Sequence, residues 1–138
     1  MNRFDFQELA LLRLKEAQTL LQNNCSAGAY YLAGYAIECA LKACIAKLTA
    51  QYDFPDKDRV NQSHVHNLKK LIDVAGLNQK LLDRMREDND FFSAWNIVKD
   101  WSEKSRYDKT IEKYDAEILL NAISDEKFGI FTWLKKFW

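Results

Sequence analysis

The chain has 138 residues, enough for one domain that buries about two-thirds of the surface its unfolded form exposes. Its 20 basic and 20 acidic residues cancel, and neither half is polarised, so overall charge gives no argument for nucleic-acid binding and we expect no DNA partner. One proline and four glycines in the whole chain exclude a turn-rich β protein and point to long helices, hence an all-α domain spanning residues 1–138.

The first helix is expected over residues 4–22. Phe6, Leu9, Ala10, Leu14, Ala17, Leu20 and Leu21 share one broad face, with Asp5, Glu8, Lys15, Glu16 and Thr19 opposite. The short connection Gln22-Asn23-Asn24 predicts that the next helix returns antiparallel to it. That next helix, Ser26 to Leu48, organises the chain. No proline interrupts it, and Ser26 is placed to cap it. Its residues sort into three stripes. Ala29, Ala33, Ala36, Ala40 and Ala43 carry almost no bulk, and Tyr30, Ile37, Leu41, Cys44 and Leu48 are bulky and apolar. Tyr31, Tyr35, Glu38 and Lys42 form the only polar stripe. A helix apolar nearly all round is buried nearly all round, so this is the central helix of a bundle. A membrane span is disfavoured, because Glu38 and Lys42 near its middle would each cost roughly 2.5–3.5 kcal/mol in lipid.

Thr49 to Ser63 loses apolar periodicity, holds the only proline and reads as the longest loop. A third helix is expected to start at Ser63 or His64 and to bury Val65, Leu68, Leu71, Ile72 and Ala75, with Gly76 just past its end. Asn78 is placed to cap a fourth helix carrying Leu81, Leu82 and Met85. The charged run Arg84 to Asp90 either continues that helix or breaks it. Asp90 is then expected to cap a segment through Trp101. Asp100 to Thr110 reads as a connection, and a last helix runs from about Asp115 towards Lys136, giving four to five main helices.

Several residues are candidates for chemistry. Glu38 and Lys42, at i and i+4, either satisfy each other inside the bundle or form the floor of a cleft to which Tyr31 and Tyr35 offer rings and hydroxyls. His64 and His66 are the only histidines. Without a second cluster of ligands we expect no metal site, and the simplest role for His66 is to bond a backbone group or pack under the loop. Trp101, Arg106 and Tyr107 group aromatic rings with a cation: Arg pairs with phosphate, and Trp or Tyr stacks on a base. Trp101 is equally suited to the core. The C-terminal FGIFTWLKKFW fits a final bundle helix or a dimer face better than a membrane surface. No nucleophilic triad, phosphate loop or cofactor motif occurs. The odd count of three cysteines and the absence of a leader favour a reducing cytoplasm, and Cys39 and Cys44 point too far apart on their helix to bridge.

Taken together, Tyr31, Ala33, Gly34, Ala36, Glu38, Ala40, Leu41, Lys42 and Ala43, then His66, Leu68 and Leu71, then Arg106-Tyr107, resemble the HEPN (higher eukaryotes and prokaryotes nucleotide-binding) family. The resemblance covers roughly residues 5–135. It implies an up-and-down helical bundle that usually dimerises and often acts beside a minimal nucleotidyltransferase, as one half of a toxin–antitoxin-like pair. Many members are metal-independent ribonucleases with an Arg-x4–6-His motif at the start of a late helix. From Arg106 those positions hold Ile111, Glu112 and Lys113, so the catalytic histidine is missing there. Arg59 with His64 or His66 repeats the spacing, but in the loop before the third helix. The resemblance therefore implies a non-nuclease module that binds a nucleotide or phosphate-bearing ligand through Glu38, Lys42, Arg106 and Tyr107, with Tyr31, Tyr35 and Trp101 alongside. The alternatives are an RNase with a displaced Arg59/His64/His66 site, or a structural dimerisation module without a ligand.

Overall fold

The computed structural model describes residues 1–50 and 63–138. Arg59, and most of the stretch expected to be the longest loop, lie outside the described residues. Among the described residues there are seven α-helices, one 3₁₀ turn and no strand, so the chain is all-α and compatible with a helical bundle. Its helices are shorter and more numerous than the four to five expected. None is long and apolar enough to cross a membrane.

Helix α1 (Arg3–Gln22) begins with a reciprocal cap: Asn2 Oδ1 accepts from Asp5 N at 2.9 Å, and Asn2 N donates to Asp5 Oδ2 at 2.8 Å. It ends with Asn24 in the left-handed region at φ 61°, where asparagine is tolerated better than most residues. Cys25 N then reaches Leu20 O and Asn24 N reaches Leu21 O, which satisfies the last carbonyls and reverses the chain. Helix α2 (Ser26–Ala50) follows at once. Ser26 is its first helical residue rather than its cap, because the carbonyl of Cys25 accepts the first intrahelical bond. The helix also runs through Thr49 and Ala50, which the sequence pattern assigned to the loop.

All five stripe alanines of α2 are fully buried, as are Ile37 and Leu41. Helix α2 packs against α1, α3 (Leu68–Val74), α6 (Lys113–Ser124), α7 (Ile130–Leu134) and the 3₁₀ turn Glu103–Tyr107. It is the element to which most others attach. Ala10 and Ala17 are the fully buried residues of α1, and small side chains on both helices allow the backbones to approach closely.

Four boundaries differ from expectation, and each has a local cause. Helix α3 starts at Leu68 rather than at residue 63 or 64, because Asn67 Oδ1 caps Lys70 N at 3.0 Å. Gly76 closes α3 as expected, at φ 70°. Asn78 does not cap α4 (Asn78–Glu87), whose N-cap is Leu77; its amide instead donates to Asp73 Oδ1 at 2.7 Å. The charged run breaks at Asp88. One oxygen of Asp88 caps Asp90 N and Phe91 N at the start of α5 (Asn89–Val98), and the other pairs with Arg84 at 3.1 Å. Asp88 thus takes the capping role expected of Asp90. Finally, the expected last helix is two. Asp125 leaves the helical region at ψ 135°, and its side chain accepts from Lys127 N and Phe128 N. Gly129 then passes so close to Asp125 that a Cβ would lie 2.4 Å from its carbonyl oxygen.

The segment before the 3₁₀ turn is fixed by a single close approach. The Trp101 indole lies flat against α2 at Gly34, where an added Cβ would sit 2.2 Å from ring atoms. Trp101 is 3% exposed. We expect Gly34→Ala to lower stability by about 1–3 kcal/mol through overpacking, despite the roughly 1 kcal/mol that alanine gains in an isolated helix. The urea midpoint reads this directly, and an unchanged or raised midpoint would mean that the indole slides aside without cost.

Candidate functional site

Among the described residues Glu38 is the only charged side chain in the core, at 1% exposure. A carboxylate in such a place is costly unless it is paired and hydrogen-bonded. Two partners meet it. Lys42 Nζ, one turn on, donates to Oε2 at 3.2 Å. His66 Nδ1 lies 3.1 Å from both carboxylate oxygens. The opposite ring nitrogen, Nε2, lies 3.2 Å from Glu103 Oε2 at the start of the 3₁₀ turn. Both ring contacts are donated together only by the doubly protonated imidazole, and in that state Glu38, Lys42, His66 and Glu103 sum to zero charge. Among the described residues the His66 ring meets side chains, not the backbone group that its sequence context suggested, and the loop it was expected to pack under lies mostly outside them. The ring clasps two carboxylates from different elements. His64 is separate: with Met1, Arg3, Phe4, Phe6, Lys42 and neighbours it lines a cleft of about 660 Å³ between α1 and the end of α2.

Beside this cluster runs an aromatic stack. Tyr35 stacks on Tyr31 with ring centroids 6.0 Å apart, and Tyr31 on Trp101 at 6.1 Å. Burial, then Cys39 and Glu38, push the Tyr35 phenol above its usual pKa, so it remains a hydrogen-bond donor. Because Trp101 is buried, its ring is the inner end of the stack and presents no face to a base. Glu38 is likewise sealed, so it holds Lys42 and His66 and does not touch a ribose from solution.

Arg106 and Tyr107 lie on the outside of the 3₁₀ turn. The guanidinium stands over the Tyr107 ring at 4.8 Å from its centroid, and Tyr107 is 72% exposed. The Tyr107 hydroxyl, and after it that of Tyr31, hold the Arg106 pKa above its ordinary value. Among the described residues no carboxylate pairs with Arg106. The structure thus brings Tyr31, Tyr35, Lys42, His66, Arg106 and Tyr107 to one side of α2. Sequence reading did not find Glu103 or its link to His66. The only local signal for Glu103 was a carboxylate just after a buried tryptophan, and pairing between distant segments is decided by packing.

Among the described residues no group of three His, Cys, Asp or Glu side chains is arranged to hold a metal ion. The two buried thiols are also unsuited to nucleophilic work: burial pushes both Cys39 and Cys44 up to about 12. No family model, curated protein or solved structure matches the chain. The likeness to the HEPN family therefore rests on the residues quoted above.

Two expectations follow from this geometry. His66→Ala leaves buried Glu38 with one partner instead of two and should cost about 1–3 kcal/mol, read as a lower urea midpoint; an unchanged midpoint would mean the ring contributes nothing to holding Glu38. At pH 8 Ellman's reagent should modify exposed Cys25 alone in the native protein, and all three thiols once it is unfolded. The raised thiols cannot ionise at that pH while folded, so rapid reaction at Cys39 or Cys44 would contradict their burial.

Proposed function

We propose that the chain is a HEPN-like module that binds a nucleotide or another phosphate-bearing ligand, works as a homodimer, and acts with a minimal nucleotidyltransferase partner. The observation that carries the binding reading is the state of Arg106. It is a fully exposed guanidinium with no carboxylate partner among the described residues, held over Tyr107 and beside Tyr31. Arginine offers phosphate two parallel N–H donors in a fixed plane, and the adjoining tyrosines supply a flat surface for a base or sugar. Lys42, mostly buried and tethered to Glu38, lies on the same side of α2. The turn that bears Arg106 is anchored by Trp101 on Gly34 and by Glu103 on His66, so the ligand meets a prepared surface and little ordering entropy opposes binding.

One observation favours a second reading, an RNase with a displaced site. Buried Glu38 orients His66 through Nδ1 and leaves Nε2 at the surface, as a carboxylate orients a catalytic base. Glu103 must then move off Nε2 and that nitrogen must release its proton before the ring can act as a base.

The test is a melting-temperature panel of nucleotides and short RNAs with wild type and Arg106→Ala. Ligand at about 100 times its dissociation constant should add roughly 2.7 kcal/mol of apparent stability. A shift in wild type that Arg106→Ala loses supports the binding surface and identifies the ligand class. No shift with any ligand sinks the binding reading and leaves a structural dimerisation module. RNA cleavage by the pure protein, abolished by His66→Ala, would establish the enzyme instead.

A further inference from the structure

Helix α1 has a second apolar face that no part of the described chain covers. Phe4 is 65% exposed, and Leu11 and Leu12 are each 49% exposed. With Glu8, Lys15 and Thr19, which are also exposed, they form the outer side of a helix whose inner side buries Ala10 and Ala17. Apolar side chains scattered singly over a surface need no explanation, but three on one helix face do.

The charges on this face identify what covers it. Glu8 and Lys15 are two turns apart, about 10.5 Å along the axis, and cannot reach each other. Neither has an oppositely charged residue three or four positions away, and neither makes an ion pair among the described residues. By contrast, Arg13 and Glu16 on the flank of the same helix pair with each other. We infer that the outer face of α1 packs antiparallel on α1 of a second copy, about a two-fold axis passing between Leu11 and Leu12.

In that arrangement Leu11 meets the partner subunit's Leu11 and Leu12 meets the partner subunit's Leu12, one pair on each side of the contact line. Close to that line Glu8 meets the partner subunit's Lys15, and the same ion pair recurs across the axis. Every charge on the centre of the face finds its opposite, and no like charges are brought together. A parallel pairing would instead place Glu8 against the partner subunit's Glu8 and Lys15 against the partner subunit's Lys15. A contact between two helices about 30 Å long is small for a protein interface, so the dimer should be of micromolar rather than nanomolar stability.

This inference rests on the homodimer part of the reading above and is independent of the ligand. The experiment is sedimentation velocity from ~1 to ~300 μM on wild type, Glu8→Lys, Lys15→Glu and the double variant Glu8→Lys/Lys15→Glu. All the substituted side chains are exposed, and circular dichroism checks that each variant folds. Wild type should dimerise with concentration. Each single variant should raise the dimer dissociation constant roughly tenfold or more, since both symmetric pairs turn repulsive, and the double variant should recover most of the loss. A wild-type dimer indifferent to the single substitutions, or a double variant that fails to recover, overturns this face while the homodimer stands. A wild type that stays monomeric throughout overturns both the face and the homodimer, and the nucleotide panel on Arg106 is decided separately.

Discussion

A carboxylate sealed inside an alanine-rich helix is the constraint from which the arrangement of the site follows. Glu38 cannot be solvated where it lies, so cations have to come to it. Lys42 does so from the same helix, which requires only one further turn of α2. His66 arrives from the segment ahead of α3, twenty-eight positions along the chain, and fixes where that segment crosses α2. Its second nitrogen extends the chain of charges to Glu103. One buried side chain thus determines the relative position of three pieces of the chain remote in sequence.

The 3₁₀ turn is held twice, by contacts of different character. The polar one is Glu103 on His66. The apolar one is Trp101, pressed on the backbone at Gly34 and continued by the stacked rings of Tyr31 and Tyr35. Losing either leaves the other, but their joint effect is to present Arg106 and Tyr107 outward from a stiff mount. An exposed guanidinium with no carboxylate partner among the described residues, on a fixed backbone, suits recognition of an anion, because the freedom given up on binding is confined to one side chain.

Elsewhere short polar side chains decide where helices begin and end. Asn2, Asn67, Asp88 and Asp125 each bond backbone N–H groups. Asp88 and Asp125 do so in the midst of runs that could have continued as helix. These breaks turn the second half of the chain into short helices that wrap α2 from several directions, and among the described residues none covers the outer face of α1.

The all-α class, the central place of α2, its buried alanine stripe and the polar line of Tyr31, Tyr35, Glu38 and Lys42 were legible in the sequence. They follow from periodicity, which is a property of neighbours along one helix. Gly76 was legible for the same local reason, since a turn past a helix end needs a residue at ease with positive φ. The breaks at Asp88 and Asp125 were not, because an aspartate within a helical pattern acts as a solvated charge or as a cap, and the choice is made by what the next segment must pack against. Nor could the sequence say that Trp101 is buried while Arg106, five residues on, is exposed. That difference arises because Gly34 leaves room for one indole on α2. Above all, the pairing of Glu38 with His66 and of His66 with Glu103 belongs to the tertiary structure: burial creates the demand for a partner, and only the folded chain decides which distant residue supplies it.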